Sequence, residues 1–112
     1  MAGLMRRIVV GELLNATDGG TLMGWLTRSE TGKARIRAAL PADYRAGDKT
    51  GSCGDPNPAY NDIAWFQPGD AGTGAAHVLA VYLDRPARGG DQADAAIAKV
   101  AELALRRIAA DR

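Results

Sequence analysis

Tyr44-Arg-Ala-Gly-Asp-Lys-Thr-Gly-Ser-Cys53 reads as one strand with polar residues along it. Side chains alternate on a regular strand, so Lys49 and Gly51 point to one face and Thr50 and Ser52 to the other. A cation and two hydroxyls at a strand edge suit an anionic ligand such as a carboxylate. The small residues let a ligand amide lie alongside and take main-chain hydrogen bonds. The plainer reading is a solvated strand end with a turn at Gly51.

Two further strands follow. Asn61-Asp-Ile-Ala-Trp-Phe-Gln67 closes at Pro68-Gly69, and His77-Val-Leu-Ala-Val-Tyr-Leu83 is nearly continuous in apolar residues, as suits a strand covered on both faces. The Gly-rich Pro68 to Gly74 stretch reads as a hairpin loop, and short sequential hairpins make an antiparallel meander. On the N-terminal side, Ala2 to Leu14 approximates helical periodicity with Arg6 and Arg7 on its wet side. Gly19-Gly20 should end that element, and Thr21 should cap a second helix running through Leu26 to near Gly32. On the C-terminal side, Arg85-Pro86 and Gly89-Gly90 end the sheet. Asp91 then reads as the N-cap of a last helix striped by Ile97, Val100, Ala101, Ala104 and Ile108. The expected class is α+β: a three-stranded antiparallel meander with two N-terminal helices and a C-terminal helix packed on it. The third strand is the most apolar and comes last, which calls for a neighbour this sequence does not supply.

Length and composition narrow the function. At 112 residues, 46% hydrophobic and 24% charged, the chain suits one globular domain and not disorder. Fourteen Lys and Arg against thirteen Asp and Glu leave +1, which lacks the footprint of a nucleic-acid binder. No run approaches a membrane span, and no signal-peptide pattern opens the chain. A single cysteine, Cys53, excludes an internal disulfide. A single histidine, His77, with no motif tying it to a nucleophile, reads as a strand-end surface residue, and no metal site or cofactor is expected. Trp25 and Trp65 read as core. Asp48, Arg37 and Asp62 read as a structural charge cluster.

Arg35 to Tyr44, then Gly47-Asp-Lys-Thr-Gly51, Asn61-Asp-Ile-Ala64 and Val78 to Tyr82, together resemble the C-terminal part of class A serine β-lactamases, for which Lys-Thr-Gly is one of three characteristic motifs. The resemblance runs from near Met1 to the final helix, so residues 1–112 read as a single partial domain contributing three strands to a five-stranded sheet. It implies that Lys49 sets positive potential for the β-lactam carboxylate and that Thr50, Gly51 and Ser52 complete the substrate-binding strand. It further implies that the Ser52 backbone N–H is one of two oxyanion-hole donors, and that Arg35 is a carboxylate-directed arginine reaching the same site. Cys53 falls where certain carbapenem-hydrolysing members have a cysteine bridged to one beside the nucleophile. Periplasmic or secreted location is implied in the same way.

The departures are as informative. The two serines, Ser29 and Ser52, do not begin S-x-x-K, and there is no S-D-N. Glu12-Leu-Leu-Asn15 mimics the general-base Glu with its downstream Asn, but one residue short. Acyl transfer needs an activated nucleophile beside the oxyanion hole, so the isolated chain should not hydrolyse β-lactams. The expected partners are a β-lactam at the Lys49 strand and either an N-terminal β-lactamase segment or a second copy along an exposed 77–83 edge. The alternative is a non-enzymatic oligomerising or carboxylate-binding module.

Overall fold

The computed structural model describes residues 1–69 and 74–111. Helices α1 (Ala2–Val9) and α2 (Ala16–Thr27) lead through a short 3-10 helix (Ile36–Ala39) into strands β1 (Tyr44–Cys53), β2 (Ala59–Pro68) and β3 (His77–Asp84), and α3 (Asp91–Ala110) closes the order. The strands form an antiparallel sheet in the order β1-β2-β3. The α+β class and the meander are as expected. Residues 70–73 of the expected hairpin loop lie outside the described residues.

Period-two alternation divides the sheet into two faces. Lys49 pairs with Ile63, and Gly47 with Trp65, which pairs in turn with Val78. This face packs on α1 and α2 through Met5, Leu26 and Trp65. The other face carries Ala64, Phe66 and Val81 against Ile36, Ile97 and Ala101 of the 3-10 helix and α3. Full burial of Phe66, Ile36 and Ile97 contributes about 1.5–3 kcal/mol each. β3 pairs with β2 alone, so among the described residues its far edge is open.

The helix boundaries correct the sequence reading. α1 stops at Val9 rather than Leu14, because Gly11 takes φ +78° and turns the chain out of the helix. α2 begins at Ala16, before the two glycines that were expected to break the chain. Asn15 caps it by accepting from the Asp18 amide at 2.8 Å and donating Nδ2 to the Asp18 carboxylate at 2.8 Å. That reciprocal cap outweighs the two glycines, which sit inside α2, and Thr21 is mid-helix, bonding back to Thr17 O. α2 also ends at Thr27, five residues before Gly32. Gly20 is exposed with open space around its Cα. Gly20→Ala is therefore expected to stabilise the chain by about 0.5–1 kcal/mol, read as a raised urea midpoint.

At α3 the cap is Gly90 at φ +59°, not Asp91, which becomes the first helical residue with no side-chain capping bond. The apolar stripe of α3 is also rotated from the expected one. Ala93, Ile97 and Ala101 are buried, whereas Val100 is 44% exposed. Trp65 is core, but Trp25 is 64% exposed, because no described element covers that side of α2.

Candidate carboxylate-binding strand

β1 holds all the residues from Lys49 to Cys53 and lies at one edge of the sheet. The expected alternation is present, and each face of the strand is held by a different layer. On the α2 side, Lys49 is exposed and donates from Nζ to Thr50 O at 2.6 Å. It borders a concavity of about 480 Å³ walled by Leu22, Trp25 and Leu26. Alternation places Cys53 on this face too, exposed and free.

On the other side, Asp48, Thr50 and Ser52 point toward the segment before the 3-10 helix. Asp48 is fully buried. Its carboxylate takes Ser29 Oγ at 3.2 Å and Arg37 Nη1 at 3.2 Å, and the space it fills is the space a side chain at Gly32 would need. Thr50 Oγ1 lies 2.7 Å from Thr31 Oγ1. Ser52 Oγ accepts from Arg35 Nη2 at 2.6 Å, leaving the hydroxyl proton for another acceptor.

Arg35 is only 6% exposed, so it meets the site from beneath. Nε donates to Asp94 Oδ1 at 2.7 Å, and Nη1 donates to Asn61 O at 2.7 Å and Gly51 O at 3.2 Å. The guanidinium carbon stands 5.6 Å from the Tyr60 ring centroid. Tyr60 Oη in turn accepts the Gly90 amide at 3.2 Å, which ties the start of α3 to the same corner. A guanidinium fork suits this role because it spreads several donors over acceptors from three elements in one plane. Asp94 and Thr31 were not foreseen as site residues. Asp94 lies in the first turn of α3.

The expected charge cluster forms in two parts. Arg37 pairs with Asp48, whereas Asp62 stands apart and accepts the Ile36 amide at 3.0 Å. Burial pushes the Asp62 carboxyl up to about 6 from 3.8; the Asp48 carboxylate adds to that, while the Ile36 amide and Arg35 oppose it. His77 is half-buried at the start of β3, its ring 5.8 Å from that of Phe66, in keeping with a strand-end residue. Among the described residues no group of His, Cys, Asp and Glu could hold a metal ion. No described helix is long and apolar enough to cross a membrane.

Sequence and fold both resemble those of known proteins. The profile of the β-lactamase enzyme family matches residues 1–108. β-Lactamase SME-1 of Serratia marcescens is 35% identical over 108 residues, covering 96% of this chain and 35% of its own length. The carbapenem-hydrolysing β-lactamase KPC of Klebsiella oxytoca is 42% identical over 102 residues, covering 90% of this chain and 33% of its own length. A solved class A β-lactamase representing the last common ancestor of Gram-negative bacteria superposes with a TM-score of 0.85 at 39% identity, over 96% of this chain and 39% of that one. The chain thus spans about a third of the length of the curated relatives it matches.

Proposed function

Because the chain belongs to the β-lactamase enzyme family, we propose that it furnishes the carboxylate-binding strand and one oxyanion-hole donor of a β-lactam-hydrolysing site completed by a second segment. The observation that carries this is the layout of β1: an edge strand with Lys49 on one face and the Thr50 and Ser52 hydroxyls on the other. Lys49 supplies the field for the substrate carboxylate, and the Thr50 and Ser52 hydroxyls donate to it. Arg35 holds the Ser52 hydroxyl and adds positive charge from below. The Ser52 N–H stabilises the oxyanion that forms when a serine attacks the β-lactam carbonyl. That serine, its lysine and the deacylating Glu come from the completing segment, whose strand pairs with the open edge of β3 and whose body covers Trp25. Cys53, exposed beside this face, is the partner for a cysteine in that segment. Such a bridge requires an oxidising compartment, which fits an exported protein.

Nitrocefin hydrolysis tests the reading. The chain alone is expected to give no steady turnover. Co-expression with the portion of SME-1 that this chain does not match is expected to restore it, and Lys49→Ala is expected to lower the restored kcat/KM on the order of 10²-fold, the loss of one charge-assisted contact. Turnover by the chain alone, or restored activity indifferent to Lys49, overturns the proposal. A defined homo-oligomer without rescue would favour the oligomerising module.

A further inference from the structure

The geometry points to a second small-molecule site, for an aromatic carboxylate, at the start of β1 and separate from the Lys49–Ser52 end. A cavity of about 370 Å³ opens there, walled by Thr27, Arg37, Pro41, Tyr44, Arg45 and Trp65. That volume lies within the range of small-molecule pockets. Its walls combine flat apolar surfaces with two guanidinium groups, and no acidic residue is among its described lining.

Three observations favour an anion with a ring. First, Arg37 commits only Nη1 among the described residues, to Ser29 O at 2.7 Å and Asp48 Oδ1 at 3.2 Å. A guanidinium carries five N–H donors in a fixed fork, so Nη2 and Nε remain to be matched. Second, Arg45 stands exposed on the adjoining strand, where no described carboxylate pairs with it. Third, Trp65 is 4% exposed, yet its Nε1–H finds no acceptor among the described residues. A buried indole N–H without a partner is uncommon. Gly47, paired with Trp65 across the sheet, leaves the indole room that any larger residue would take. Tyr44 and Pro41 offer apolar surface for a planar body, and the Arg37 and Arg45 guanidiniums offer donors for its carboxylate. The occupant is thus a compact aromatic acid and not a neutral ring.

Titration of the intact chain with 2-naphthoate, followed through the two tryptophan indole N–H resonances, tests this. Trp25→Phe, at an exposed position, assigns the Trp65 signal. The expected result is a saturable shift of the Trp65 resonance with 2-naphthoate and at least tenfold weaker binding of the neutral 2-naphthamide. Arg45→Glu and the milder Arg45→Gln are each expected to weaken 2-naphthoate, the former at least tenfold, in spectra that otherwise keep their dispersion. No saturable shift, equal binding of the amide, or affinity unchanged in both Arg45 variants overturns the assignment.

Discussion

Arg35→Ala is expected to lower the stability of the folded chain by roughly 3–5 kcal/mol, the range seen when one partner of a buried pair is removed. Four acceptors lose a donor at once: the Asp94 carboxylate, Asn61 O, Gly51 O and Ser52 Oγ. Two of these are main-chain groups near the Cys53 end of the β1–β2 seam, so the loss is felt by the strands as well as by α3. Arg35 also opposes protonation of Asp62, so its removal sends that carboxyl higher still. Arg35→Lys is expected to recover little, because one ammonium cannot reach donors spread over a flat fork. Urea denaturation of the two variants beside the parent chain measures this. A loss under 1 kcal/mol for Arg35→Ala would show that the network is slack. Domain stabilities are about 5–15 kcal/mol, so the expected loss leaves a chain close to unfolding.

Asp62 should make the chain more stable in mild acid than at neutral pH. The unfolded chain releases the Asp62 proton near 3.8, and the folded chain holds it until about 6. Between those values the folded form binds the extra proton, so stability falls as pH rises through the window. The contribution is complete below the lower value and gone above the upper one. About two pKa units at ~1.4 kcal/mol each put the change at roughly 2–3 kcal/mol. Asp62→Asn keeps an oxygen for the Ile36 amide and has no proton to lose, so its stability should not carry this slope. Unfolding free energies at pH 4 and 7, compared between parent and variant, isolate the effect from other carboxyls. Identical slopes would mean that the buried carboxyl keeps its ordinary affinity for protons.

The sheet was readable from the residues because its signals are local. Polar alternation with Gly51 and Cys53 marked β1 from Tyr44 to Cys53, and the apolar run from His77 marked β3. Helix ends were misread where two local signals competed. Asn15 with Asp18 is a cap in its own right, and the glycine pair after it hid that. The candidate site was legible as a row of residue types, but what holds it in place was not. Arg35 meets Asp94 across 59 positions of sequence, a pairing no spacing rule announces. Trp25 was misjudged for a different reason: its residue type fits a core, while its covering surface is absent from the described residues.

The division of β1 between two layers has a consequence for how such a strand can vary. Lys49 answers to α2, whereas Ser52 answers to Arg35 and, through it, to the first turn of α3. Substitutions near Asp94 can therefore move the Ser52 hydroxyl while the Lys49 ammonium stays as it is. Under the proposed function, a lineage could vary what the strand accepts through α3 and leave the Lys-Thr-Gly sequence untouched.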